Sequence, residues 1–237
     1  FRAVMELFHN YSCYPHLVST SQTLAGDDQS GKVIYNINSK GFRGTDFNNI
    51  DVVALGCSIT FGIGVEEQDI WPNILSTELG LNIANVSKPA GSPDTCFRFA
   101  SYWLPLLKPK YVVYLEPPGG RLEVLKSNLN QNAQGQITAN KEATSYEIYN
   151  AWIRNSLNND LNYSKNRLAI NQLCNDNNIQ FISYTLEDFE WDTINDTGFD
   201  NIHPGPVPHR EFALKVSDDI AFSQVCSELA KANSKYK

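Results

Sequence analysis

Four short apolar runs punctuate the chain, and longer segments with helical spacing lie between them. Asp51–Gly56 (DVVALG), Asn82–Val86, Tyr111–Leu115 (YVVYL) and Ile179–Tyr184 (IQFISY) are five or six residues long. The Val-rich run Asp51–Gly56 describes a buried strand, Tyr111–Leu115 is the clearest strand of the chain, Asn82–Val86 a weak one and Ile179–Tyr184 another. Asp69–Leu79 carries Pro72 in its first turn and Gly80 just past its end, which predicts a helix. Pro93–Leu107 predicts an apolar helix bracketed by prolines, with the aromatic residues of Phe97–Trp103 at core spacing. Ser145–Asn177 reads as helical, in one or two pieces, with Trp152, Leu157, Leu161, Leu168 and Leu173 on recurrent faces. Pro208–Ala232 reads as a final helix. Strands alternating with helices predict an α/β fold, a three-layer α/β/α arrangement around a mostly parallel central sheet. Ligand sites in such folds lie beyond the carboxyl ends of the strands, so polar residues following Gly56, Val86, Leu115 and Tyr184 carry extra weight.

Composition narrows the class. The 237 residues carry 19 Lys+Arg against 26 Asp+Glu, a formal charge of −7, which disfavours nucleic acid as a partner. A hydrophobic share of 42% and an aromatic share of 11% are those of a globular chain. No apolar run approaches the roughly 18 residues that a membrane span needs. The five cysteines, Cys13, Cys57, Cys96, Cys174 and Cys226, are odd in number and contain no CxxC. Reduced thiols and a cytoplasmic location are therefore expected, and no signal peptide is visible at the amino end. His9, His16 and His209 lack metal-ligand spacing, so no metal or other cofactor is expected. Gly62-Ile63-Gly64 lacks the rest of a dinucleotide fingerprint. Over-use of Asn reads as codon bias. Gly31–Asn49 breaks into short extended pieces, and Ser127–Ser145 is a polar stretch expected to form a surface loop or partial lid.

Two segments can carry chemistry. Gly56-Cys57-Ser58-Ile59-Thr60-Phe61-Gly62 puts a serine at the exit of the first buried strand, with glycines on both sides that permit a tight turn. Ser58 there is either a nucleophile exposed on that turn or the cap of the next helix. Cys57 beside it reads as a packed thiol. Asp200-Asn201-Ile202-His203-Pro204 places a carboxylate three residues before an imidazole, directly ahead of the last helix. Folded back in a turn, Asp200 can fix the tautomer of His203 and stabilise the imidazolium formed when the ring accepts a proton. Taken singly, both residues are also ordinary loop side chains; together with Ser58 they form a set.

That set resembles the SGNH, or GDSL-type, hydrolase family. Gly56–Gly62 is similar to its GDSxTxG block, with Cys57 in place of the Asp, and Asp200–His203 matches its DxxH block. The resemblance covers Gly56 to the carboxyl end. It implies a flavodoxin-like sheet in a domain spanning residues 51–237, with residues 1–50 as an amino-terminal extension packing on the core. Within that extension, Asn38-Ser39-Lys40-Gly41-Phe42-Arg43-Gly44 resembles a leader that precedes the serine block in some members. The resemblance further implies a Ser58–His203–Asp200 triad and an oxyanion site formed by the N–H groups of Ser58 and Gly91. The third block, GxND, is missing its Asn: Tyr111–Leu115 runs into Glu116-Pro117-Pro118-Gly119-Gly120-Arg121-Leu122-Glu123. Losing one such donor costs about 10²–10³ in rate. Candidate substitutes are the N–H of Gly119 or Gly120, the guanidinium of Arg121, unless Arg121 is simply paired with Glu116 or Glu123, and Asn128 if its loop folds back.

The expected function is hydrolysis of a carboxylic ester, with a small acyl or carbohydrate-linked ester preferred because no apolar lid is evident. Two rivals share the scaffold: a glycan-binding module with little or no catalysis, and an acyltransferase using the same triad.

Overall fold

A computed structural model describes residues 11–25, 27–125, 134–136, 151, 152, 154–191 and 195–234. Eight strands are seen: β1 (Thr20–Gln22), β2 (Tyr35–Ile37), β3 (Val52–Gly56), β4 (Ile83–Ser87), β5 (Tyr111–Leu115), β6 (Glu123–Leu125), β7 (Gln134–Gln136) and β8 (Gln180–Tyr184). The helices among the described residues include α1 (Ser58–Phe61), α2 (Trp71–Leu79), α3 (Pro93–Leu107), α4 (Ser156–Asp176) and α5 (Pro206–Ser234). The four apolar runs form one parallel sheet in the order β4-β3-β5-β8. The pairs β1–β2 and β6–β7 are small antiparallel ladders.

Every residue of β3 and β5 is buried, which is why these runs are apolar throughout instead of alternating. Successive side chains point to opposite faces. Val53, Leu55, Ala84, Val86, Val112 and Tyr114 enter one core with Cys96, Phe99, Ala100, Trp103 and Leu104 of α3 and Ile170 and Cys174 of α4. Val52, Ala54, Val113 and Leu115 enter the other, with Trp71, Ile74 and Leu75 of α2 and Phe212, Ala213, Val216 and Ile220 of α5. The expected three layers are therefore present. Residues preceding β3 contribute Leu24, Val33, Tyr35, Ile37 and Phe42 to the first core.

The helices begin where local chemistry allows. Ser92 caps α3, its side chain accepting the Thr95 N–H while Thr95 Oγ1 reaches back to the Ser92 N–H, and Pro93 fills the first helical position. Asn155 caps α4 by accepting from the N–H groups of Leu157 and Asn158; within the expected span Ser145–Asn177, Ala151 and Trp152 are helical ahead of this cap, and residues 145–150 lie outside the described residues. The buried face of α4 differs from the expected one. Leu157, Leu161 and Leu168 are exposed, whereas Asn162, Asn166, Ile170 and Cys174 face inward. The polar stretch Ser127–Ser145 lies outside the described residues apart from β7.

Because the order is β4-β3-β5-β8, the helix after β3 (α2) and the helix after β5 (α4) pack on opposite faces of the sheet. The carboxyl ends of β3 and β5 thus flank a topological switch point, where loops diverge and leave a crevice.

Candidate active site

A cleft of about 410 Å³ opens at that point. Cys57, Ser58 and Ile59 line it from the β3 exit, Pro118 and Arg121 from the β5 exit. Leu186 and Trp191 follow β8, and Ile202, His203 and Pro204 precede α5. The serine and histidine singled out from sequence, 145 residues apart in the chain, line the same cleft.

Ser58 is the first residue of α1, and Cys57 occupies the cap position without a side-chain cap bond. The capping alternative for Ser58 is thereby set aside. Its N–H lies in the first turn, among the groups that have no intrahelical acceptor. Gly56 is needed for this approach: a Cβ there would fall 2.1 Å from Thr60 Oγ1 and 3.0 Å from the Leu115 carbonyl oxygen. Ser58 is 8% exposed. Among the described residues its hydroxyl makes no hydrogen bond to His203.

The Asp200–His203 turn is tightly determined. Asn201 adopts a positive φ of 55°, a region Asn tolerates better than most residues. This curls the chain so that Asp200 Oδ1 accepts from the N–H groups of Ile202 and His203, each at 3.1 Å. The other oxygen, Oδ2, lies 2.6 Å from His203 Nδ1. Burial pushes the Asp200 carboxyl up, but the bonds from the His203 ring and from the N–H groups of His203 and Ile202 outweigh it and hold the group below the usual carboxylate range. An ionised carboxylate only accepts, so Nδ1 carries the proton, and in the neutral form of the ring the lone pair is on Nε2. The Asp200 side chain is 4% exposed and that of His203 22%, so the ring, not the carboxylate, meets the cleft.

Gly64 joins this turn to the serine segment. Its φ is +75°, and an added Cβ would lie 2.7 Å from Asp200 Oδ1. Its carbonyl accepts from the Phe199 N–H at 2.7 Å. The Gly62-Ile63-Gly64 pattern thus serves close approach of two backbones.

The β5 exit is held at three points. Glu116, 1% exposed, takes a bidentate bond from Arg167 of α4 at 2.5 and 3.0 Å. Burial raises its carboxyl despite that partner. Asn162 Nδ2 donates to the carbonyls of Gly119 and Arg121, at 2.8 and 3.0 Å. Glu123 is gripped by Arg98 of α3 at 2.6 and 2.7 Å and by Thr95 Oγ1 at 3.0 Å. Both carboxylates offered as partners of Arg121 are therefore occupied by other arginines. Arg121 instead lines the cleft, its Nη1 donating to the Gly91 carbonyl at 3.3 Å. The Gly91 N–H donates to the Lys88 carbonyl at 2.9 Å, and the Arg121 N–H to that of Pro118 at 3.1 Å. Gly119 and Gly120 sit in the same turn, Gly119 packed against Asn159 and Tyr163.

His209 is fully buried at the start of α5, and its Nδ1 accepts the Trp71 N–H at 3.0 Å. It thus satisfies the amino end of α2 and takes no part in the cleft. Among the described residues no cluster of three or more His, Cys, Asp or Glu could hold a metal ion, and no helix is long and apolar enough to cross a membrane.

No protein-family model and no curated protein matches the chain. Solved structures do resemble it. A protein assigned as lipolytic and of the G-D-S-L family, from Desulfitobacterium hafniense DCB-2, shares 14% identity over 72% of this chain and 99% of its own, at a TM-score of 0.38. The psychrotrophic esterase EstA of Pseudoalteromonas sp. shares 10% over 73% and 99%, at 0.36. The acetyl xylan esterase Est2A of Butyrivibrio proteoclasticus shares 11% over 81% and 66%, at 0.37. These neighbours are of the lipolytic and esterase kind that the sequence motifs resemble. Likeness at this level transfers no chemistry, and the cleft is interpreted below from its own residues.

Proposed function

We propose that the chain hydrolyses a carboxylic ester through an acyl-enzyme formed on Ser58. The observation that carries this reading is the Asp200–His203 pair, bonded at 2.6 Å and opening onto the cleft that Ser58 also lines. In the free structure Ser58 and His203 are not bonded, and substrate binding brings the hydroxyl to Nε2, as catalytic bonds commonly tighten only in the complex. Ser58 Oγ attacks the carbonyl carbon while His203 Nε2 accepts its proton. Asp200 holds the tautomer and stabilises the imidazolium. His203 then returns the proton to the leaving alkoxide, and a water activated by the same ring releases the acid.

The oxyanion is received by the Ser58 N–H and the Arg121 guanidinium, which is permanently charged and takes the place of the missing Asn. The Gly91 N–H, bonded to the Lys88 carbonyl at 2.9 Å, stays outside this set. The substrate is a small-acyl or carbohydrate-linked ester, since a 410 Å³ cleft lined by Ile59, Pro118, Leu186, Trp191 and Ile202 accommodates a compact group.

A fluorophosphonate probe tests this reading. Covalent labelling of the wild type and none of Ser58→Ala is the expected result. Absence of labelling in both would instead identify a binding module. Product partition with and without an added sugar acceptor separates hydrolysis from acyl transfer.

A further inference from the structure

We propose that Arg43 and Tyr35, both ahead of β3, are positioning residues that lock the Ser58 turn to the Asp200–His203 turn. The assignment rests on the esterase reading above. Arg43 is 1% exposed, and among the described residues it forms no ion pair. Its Nη1 donates to the carbonyls of Phe61 and Gly62, and its Nη2 to that of Val65 at 2.7 Å. Phe61 is the last residue of α1 and its carbonyl has no intrahelical donor, while those of Gly62 and Val65 belong to the turn that follows, the Gly62 carbonyl also accepting the Val65 N–H at 3.3 Å. The guanidinium carbon lies 4.6 Å from the centre of the Tyr35 ring.

A buried cation held by carbonyls is a costly way to fill a core, because desolvation opposes its charge. Burial lowers the Arg43 guanidinium to about 10, which still leaves it charged at neutral pH. What the arrangement gives is geometry. A helix of four residues has little stability of its own. A planar fork satisfying three carbonyls at its end fixes the orientation of the turn that begins with Ser58, and a lysine ammonium cannot reproduce that fork.

Tyr35 extends the lock to the other half of the site. Its Oη donates to Asp28 Oδ2 at 2.7 Å and accepts the Gly64 N–H at 2.9 Å. All three groups are buried. The Gly64 carbonyl takes the Phe199 N–H, and its Cα rests against the Asp200 carboxylate. One residue, Gly64, therefore sits between the Tyr35 hydroxyl and the turn that aims His203. Arg43 sets one side of the cleft and Tyr35 the other, and their stacked side chains tie the two settings together.

The test uses Tyr35→Phe and Arg43→Lys in the full chain, with melting curves to establish that each is folded. For hydrolysis of 4-nitrophenyl acetate, Tyr35→Phe, which removes the bonds to Asp28 and from the Gly64 N–H, is expected to lower kcat about tenfold. Arg43→Lys should lower it about a hundredfold, as for a small misplacement of a catalytic group. KM should stay within about twofold in both, and added guanidinium should partly restore Arg43→Ala while methylammonium does not. Folded variants with wild-type kcat, or loss confined to KM, would overturn the assignment. A second readout does not depend on activity: the downfield Nδ1–H proton resonance of His203. It should move or broaden in Tyr35→Phe, and an unchanged resonance also counts against the lock. If wild-type protein resists fluorophosphonate while this resonance still responds to Tyr35, the esterase reading fails and the positioning role stands.

Discussion

Asp200→Asn isolates the charge that the site places behind His203. The substitution keeps size and leaves Oδ1 available to the N–H groups of Ile202 and His203, the two bonds of 3.1 Å that shape the turn. What changes is the atom 2.6 Å from Nδ1, which becomes an amide nitrogen with hydrogens of its own. Two donors cannot share that contact, so the ring moves its proton to Nε2, the nitrogen that must accept the Ser58 proton. Loss of the right tautomer in a Ser-His-Asp arrangement costs about 10⁴ in rate, or roughly 5–6 kcal/mol of barrier. Stopped assays with a fluorophosphonate and with 4-nitrophenyl acetate read that loss, and nitrogen-15 shifts of the imidazole identify the tautomer. The wild-type carboxyl titrates below its unfolded value, so its stabilising contribution is present above that value and fades as pH falls through the folded one. Asp200→Asn should therefore narrow the stability gap between neutral and acid solution. An Asn variant within about tenfold of wild-type rate would show that Asp200 does not work through His203.

Three further outcomes are expected. Gly64→Ala puts a Cβ at a φ of +75° and 2.7 Å from Asp200 Oδ1, so urea melts should show a loss of about 1–3 kcal/mol, accompanied by slower labelling of Ser58. Arg121→Met should reduce kcat/KM by about 10²–10³ while changing stability by less than about 0.5 kcal/mol, because the guanidinium makes one long bond of 3.3 Å in the resting structure. His209, lowered to about 3 by burial, stays neutral while the unfolded chain takes up a proton near pH 6.5. Its stabilisation is complete above that pH and declines by up to about 1.4 kcal/mol per unit below it, so His209→Gln, which keeps an acceptor for the Trp71 N–H, should flatten the slope measured between pH 6.5 and 4.

What could be read in advance follows the range of the interactions involved. The two central sheet strands, β3 and β5, were visible because burial on both faces demands an unbroken apolar run, and composition over five residues records it; β8, mostly half-buried at the sheet edge, left the weaker pattern IQFISY. The Asp200–His203 bond was visible because its partners are three residues apart, so a local turn suffices to make it. Partner choice at long range was not visible. Arg121 has Glu116 and Glu123 as sequence neighbours, yet Arg167 and Arg98, 51 and 25 residues from those carboxylates, reach them first. The decisive fact is the position of α4 and α3 over the β5 exit, which no local pattern encodes.

The α4 helix shows how a correct period can point to the wrong face. Leu157, Leu161 and Leu168 have helical spacing, and so do Asn162, Asn166, Ile170 and Cys174; hydropathy alone favours the leucines. The Asn face is nevertheless the buried one, because part of what it meets is polar. The turn after β5 presents the carbonyls of Gly119 and Arg121 to α4, and Asn162 supplies the donors. Asn166 continues that seam, bonded to Asn162 and to Asp94 of α3. Amides that composition assigned to codon bias thus hold the loop that presents Arg121 to the cleft. A buried loop imposes its hydrogen-bond demand on the helix that covers it, and that demand outranks hydrophobicity in choosing the inward face.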